Sequence, residues 1–506
     1  MRTRIAVIPL IASLLAATPL AAQHPRFRLV DIGTLGGPHS HGEINGADVL
    51  LNNSGIVASW ADTAMPDPNA PGCADCFLGH AFRWKDGVIS DLGALPGVNF
   101  SAVGSINSRG WATGQSQTSM LDPVLGIPEF RAVLWKEGQI LDLGILGSGT
   151  ESLGAFVNDA GQVIGFSTIN TEPDPVGFLG FPTHTFIWQS GHMHDIGTLG
   201  GDDTFTDSSC SHPPEGTVAG QSSTSTTLNS DTGLPTFDPF LWDHGKMTDL
   251  GTLGGTWGFA HCTNHRRQVI GASSLAATPI ACTDGHLTGC HAFLWENGQM
   301  RDLGTLGGPN SEAQWINEAG LIAGSADFPR PQPTVNHHDA VIWKHGKIKD
   351  LGTVDGDPCS RAYGLNERGQ VVGGSSDCTT GFLHAFLWEE GGPMLDLNKL
   401  IPPGSGWVLT NAFNINDRGE ILAKAAPEGF TPNDDADLGH LALLVPCKED
   451  GSDCENRIER PESLFGQGVA LRNGQRSSPT VAGQPRTPAD NVAAWRARFA
   501  KRLAEH

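Results

Sequence analysis

Between Phe27 and Cys454, apolar runs of roughly four to eight residues, rich in β-branched and aromatic side chains, alternate with clusters of Gly, Asn, Asp and Pro. Each run reads as a strand and each cluster as a turn. The runs are ordered. A unit of about 45–60 residues recurs, carrying four pieces in a fixed sequence. The first is an apolar segment ending in Asn-x-x-Gly, as at Asn107–Gly110, Asn158–Gly161, Asn317–Gly320, Asn366–Gly369 and Asn416–Gly419. The second is a short apolar strand closed by Gly, such as Gln162-Val163-Ile164-Gly165 or Gln370-Val371-Val372-Gly373. The third is His-Ala-Phe-x-Trp at His80–Trp84, His291–Trp295 and His384–Trp388, with variants ending at Trp135, Trp188, Trp242 and Trp343. The fourth is Asp-Leu/Ile-Gly, beginning at Asp31, Asp91, Asp142, Asp195, Asp249, Asp302 and Asp350, with Asp396 as a variant.

Both Asn-x-x-Gly and Trp-x-x-Gly place glycine where a type I turn with a bulge needs a positive φ, so the unit is a four-stranded meander. Meanders of this size, repeated, predict an all-β propeller of four-stranded blades. Counting fourth strands predicts eight blades, with seven as the alternative because Cys210–Gly220 lacks the Asn-x-x-Gly turn. The last repeat supplies His440–Val445 as a third strand and no fourth, whereas Phe27–Gly33 is a fourth strand with nothing before it. The N-terminal strand is therefore expected to complete the C-terminal blade, leaving no edge between blades unpaired.

At these residues the chain resembles the HAF family of extracellular repeat proteins, named for the His-Ala-Phe strand. The resemblance spans Phe27 to Cys454 and includes the closing Leu-Val-Pro-Cys segment. It implies an exported, propeller-like protein, and it brings no reaction and no catalytic residues.

The two ends read differently. Arg2 and Arg4, the apolar Ile5–Leu15 and the small residues Ala17–Ala22 form a secretory signal, giving 1–22 as a leader and 23–454 as the propeller. Residues 455–506 read as a flexible tail ending in a short amphipathic helix, with Val492, Trp495, Phe499 and Leu503 on one stripe. No later stretch approaches the roughly 20 apolar residues of a membrane span.

Charge narrows the partners. With 32 basic and 54 acidic residues the net charge is −22, which repels nucleic acid and anionic lipid. Ten cysteines in an exported chain read as disulfides. Cys282/Cys290 and Cys447/Cys454 bracket short loops, Cys359/Cys378 lie on two paired strands, and Cys210/Cys262 hold matching places in successive repeats. Cys73 and Cys76 stand in a Gly/Pro/Asp loop and read as structural rather than as a redox or metal half-site.

Candidate chemistry is sparse. The motif tryptophans read as core, and the motif histidines as hydrogen-bonding groups, since Arg131, Asp238 and Asp339 take the same position elsewhere. His39/His41 and His192/His194 do not make a metal site by spacing alone. Calcium is the one cofactor considered, at Asp202-Asp203 and Asp434-Asp435 with Asp437, without ordered ligand spacing. Long, varied connections between second and third strands define one face, and Trp60, Trp257 and Trp407 fall on or beside it as candidate ligand-binding residues. No Gly-x-Ser-x-Gly elbow, phosphate loop or His-Glu-x-x-His site occurs. The expected function is a secreted or periplasmic, monomeric, non-catalytic binding or scaffold propeller that takes a glycan, peptide or protein on the long-loop face. The alternative is a propeller enzyme acting on polysaccharide, of lyase or glycosidase type.

Overall fold

The computed structural model describes residues 27–42, 49–67, 77–97, 99–174, 176–206, 214–230, 234–276, 289–329, 337–378, 382–429 and 438–448. Six four-stranded sheets and one eight-stranded sheet make up these residues. The eight-stranded sheet is two antiparallel meanders, 204–249 and 254–302, joined by a single parallel pair between Phe237 and Trp257. The others span 36–91, 101–142, 152–195, 311–350, 359–396 and, last, 407–446 with 27–31. In that last sheet Phe27–Asp31 pairs antiparallel with His440–Pro446, Leu29 opposite Leu444. Each meander packs on the next, and 407–446 packs on both 359–396 and 36–91, so the succession closes on itself. The fold is an all-β propeller shut by its N-terminal strand.

First strands touch first strands: Ser311–Ile316 packs against both Gly254–Thr263 and Cys359–Leu365. They are the innermost strands. Fourth strands such as Val88–Asp91 are mostly exposed.

The third strand fills the gap between sheets. Ala81 and Phe82 are fully buried and Trp84 is buried, in one cluster with Val103 and Val133 of the following meander. Burying a phenylalanine of this kind contributes about 1.5–3 kcal/mol. Trp343 and Trp388 are also fully enclosed, and Trp343 Nε1 reaches back to the Leu303 carbonyl of the preceding meander at 3.0 Å. Trp188, Trp242 and Trp295 are half-buried at the edges of their clusters.

The polar motif residues tie the blades together. In Asn-x-x-Gly the asparagine Oδ1 accepts the turn's own N–H groups, as Asn107 does from Arg109 and Trp111. Its Nδ2 donates to the backbone carbonyl of the next such asparagine, counting Asn264, whose turn closes on Arg267 in place of Gly: Asn52 to Asn107, Asn107 to Asn158, Asn264 to Asn317, Asn317 to Asn366, Asn366 to Asn416, and Asn416 to Asn52. The degenerate repeat has no asparagine at this place, which lies outside the described residues. Asn158 bonds Gln162, and Gln162 Oε1 accepts Gly216 N–H. A Ser or Thr of the first strand accepts the third-strand N–H of the preceding meander, as Ser101 does from Ala81, Ser311 from Ala292 and Ser40 from Leu441. Each such bond is worth about 0.5–1.5 kcal/mol net.

The motif histidine and aspartate meet across the third and fourth strands. His80 bonds Asp91, His184 bonds Asp195, His291 bonds Asp302 and His440 bonds Asp31, at 2.7–3.2 Å. The same aspartates accept the glycine N–H two residues on, as in Gly93 to Asp91. The two turn types differ from one another, contrary to the shared turn expected from sequence. At Asn-x-x-Gly only the glycine is left-handed (Gly110 φ +79). At the third-to-fourth turn both central residues are (Asp86 φ +49, Gly87 φ +85). A two-residue hairpin needs this mirror-image turn to match strand twist.

Cys359 and Cys378 form a disulfide, as the hairpin pairing predicts. Cys262, Cys290 and Cys447 are also disulfide-bonded. Cys73, Cys76, Cys210, Cys282 and Cys454 lie outside the described residues, as do the leader, the tail and Asp434, Asp435 and Asp437. Asp203 is fully buried and accepts Thr183 N–H at 2.9 Å. Among the described residues, no helix is long and apolar enough to cross a membrane.

Candidate functional site

The innermost strands carry a repeated defect. In six meanders the ladder between first and second strands skips one residue at the same place, between Val103/Ser105, Gly154/Phe156, Ala260/Cys262, Ala313/Trp315, Ala362/Gly364 and Ala412/Asn414. A bulge of this kind re-aims the skipped side chain. Those residues are Gly104, Ala155, His261, Gln314, Tyr363 and Phe413. Two residues before each stand Ala102, Leu153, Phe259, Glu312, Arg361 and Asn411. Three successive meanders therefore replace small or apolar residues with His261, with Glu312 and Gln314, and with Arg361 and Tyr363, and the next carries Asn411 beside the apolar Phe413.

These side chains join across the blades. His261 Nε2 lies 2.7 Å from Glu312 Oε1, with side chains 11% and 14% exposed. His261 also packs edge-on to Phe259, ring centres 4.7 Å apart. Arg361 is hydrogen-bonded to Tyr363. Burial works against its charge, but Tyr363, Glu312 and Asp327 outweigh that and hold the guanidinium protonated. Gln314 is 4% exposed and its Oε1 has no hydrogen-bond partner; Asn411 Oδ1, also buried, is in the same condition. Glu312 and Arg361 are the second and third residues of their strands, at the end opposite the Asn-x-x-Gly turns.

The other end of the axis is committed to architecture. A cavity of about 300 Å³ is lined there by turn residues including Asn52, Asn107, Asn416, Asp159, Glu367 and Asp417. Its carboxylates accept backbone N–H groups of neighbouring turns: Ser108 to Asp159, Glu318 to Glu367 and Glu367 to Asp417.

The three candidate tryptophans lie on three different sheets. Trp60 is half-buried, stacked on His41 at 3.7 Å and edge-on to Phe100. Trp257 is buried against Phe237, ring centres 4.4 Å apart. Trp407 is half-buried against His440. All three pack on neighbouring rings.

A second cavity of about 300 Å³ lies between the sixth and seventh meanders, lined by Phe328, Pro329, His337, Asp339 and Asp357 among others. Asp339 replaces the motif histidine and shares a hydrogen bond with Asp350; burial first, then the Asp350 charge, pushes its carboxyl up. Asp238 and Asp249 repeat this pairing.

The axial set was missed from sequence, although a signal for it exists. Its members stand three and five residues before the motif asparagines Asn264, Asn317 and Asn366, and Tyr363 is the only tyrosine.

No known family and no curated protein matches this sequence. Among solved structures, the chain is similar to the acylaminoacyl peptidase of Pyrococcus horikoshii (11% identity, TM-score 0.36, 76% of this chain and 57% of that one). It thus spans little more than half of that peptidase. It is also similar to the open-velcro β-propeller domain of the Trilobed protease from Pyrococcus furiosus (10%, 0.36, 75% and 100%). A third similarity is to a PL25 ulvan lyase (10%, 0.35, 82% and 94%).

Proposed function

We propose that this is an exported, HAF-type propeller of eight blades, the two halves of its eight-stranded sheet counting separately, and that it is a binding protein. Its ligand enters from the long-loop face and is held at the axis by His261, Glu312, Gln314, Arg361 and Tyr363. The observation that carries this reading is the joint departure of three successive bulges from the repeat's small or apolar residues to hydrogen-bonding ones. Packing does not require the change, because Gly104 and Ala155 serve the same position elsewhere. The Arg361 and Glu312 charges offset one another, so the set favours a neutral, hydroxyl-rich ligand, and a glycan fits best. The test is calorimetric titration of the mature protein with neutral oligosaccharides, repeated on Tyr363→Phe and Gln314→Leu. Saturable binding weakened about tenfold or more by either change supports the reading. Binding untouched by both variants would move the ligand away from the axis and overturn it.

A polysaccharide-cleaving enzyme is the second reading, favoured by one contact. Glu312 holds His261 as a carboxylate orients a general base. Release of new chain ends from a bound polysaccharide, lost in His261→Ala, would establish it.

A further inference from the structure

We propose that reduction of the Cys359–Cys378 disulfide creates a binding site for a thiophilic divalent cation of the zinc class, with Cys359, Cys378 and His337 as ligands. This inference is independent of the axial site.

One potential ligand atom from each residue, two sulfurs and a His337 ring nitrogen, lies within 4.8 Å of the others. Two thiolates and one imidazole, with a fourth position left to water, form a known donor set for zinc. The site is built into the ladder. Cys359 heads the innermost strand of its meander, is fully buried, and stands in register opposite Ser376, two residues before Cys378. The pairs Cys359–Ser376 and Ser360–Ser375 hold the two strands together without help from the bridge. The sulfurs therefore remain neighbours when the bond between them is cut. His337 also lines the cavity between the sixth and seventh meanders, which gives the fourth position an approach. His338 supports the sulfur from behind: its N–H donates to Cys359 Sγ at 3.4 Å.

The chemistry balances. A dithiol reductant delivers two electrons and two protons to the disulfide and closes to its own disulfide, leaving two thiols. The cation then displaces both thiol protons, and the two thiolates neutralise its charge. The disulfide and the metal site are alternative states of the same atoms, so the metal-binding state belongs to the chain before oxidation.

The experiment uses the full mature chain, reduced with a dithiol, freed of reductant without oxygen, and titrated with cobalt(II) as an optical stand-in for zinc. The expected result is a thiolate-to-cobalt charge-transfer band, displaced by zinc, that exceeds the band of the equally reduced double variant C359S/C378S by one equivalent. The oxidised protein should give no band, and the double variant, which keeps every other cysteine, reports what the remaining thiols bind. His337→Ala should weaken cobalt binding on the order of tenfold or more, by loss of one ligand. The proposal is overturned if the reduced protein gives no band, or binds no more cobalt than the equally reduced C359S/C378S. Circular dichroism of C359S/C378S reports whether the ladder stands without the bridge. A chain that unfolds on reduction also refutes the proposal, because the site requires the folded strands.

Discussion

The side-chain amide of Asn416 donates to the backbone carbonyl of Asn52 at 3.0 Å, joining residues 364 positions apart. It is the same bond that Asn317 makes to Asn366 between consecutive repeats. The seam of the ring is thus built like its other joints.

Asn416→Ala removes both the cap on its own turn and this tie across the seam. The expected loss is about 1–3 kcal/mol, since two bonded backbone N–H groups and a carbonyl lose their partner. Denaturant melts measure the loss, and an unchanged midpoint would show that these bonds contribute nothing.

Leu29 tests closure by the N-terminal strand. It is fully buried and faces Leu444. Leu29→Ala should destabilise by about 2–5 kcal/mol, the range for a truncation that leaves a cavity. Deleting the strand altogether should abolish cooperative unfolding. A deletion variant with an unchanged melting temperature would refute closure.

Trp343→Ala is expected to cost about 3–5 kcal/mol, because the indole is 1% exposed and its N–H reaches the preceding meander. Trp295→Ala should cost less, the indole being only half-buried. Thermal unfolding of the pair checks whether burial, and not the motif, sets the cost.

Stability should fall as the pH rises from mildly acidic to mildly alkaline. Burial pushes Glu151 up to about 8 from its ordinary 4.5, and Asp203 up to about 7 from 3.8. Between the ordinary and raised values the folded chain binds more protons than the unfolded one, so unfolding becomes easier with increasing pH. The melting temperature should be higher at pH 5 than at pH 8, and Glu151→Gln should raise it at pH 8 more than at pH 5. Asp91, Asp195 and Asp302 act in the other sense. Burial raises them, but bonds from His80, His184 and His291 and from backbone N–H groups outweigh it and hold them low. Their contribution is present above the ordinary carboxylate range and is lost in acid, which places the optimum between the two limits.

The sequence by itself determined the strand order within a repeat, the propeller class and the N-terminal strand's place in the last sheet, and it marked Cys359 and Cys378 as candidates for one bridge. The reason is physical: turn chemistry and alternation are local, and repetition prints the same local rules many times. What only the tertiary structure decided is how the repeats touch. That Asn107 Nδ2 goes to Asn158 O, or that Ala81 N–H finds Ser101 Oγ, depends on the distance between sheets, which no local pattern encodes. The axial set was hidden for the same reason. His261 and Glu312 stand 51 residues apart in the chain and become neighbours because a bulge turns one inward and the closing of the ring brings their strands together.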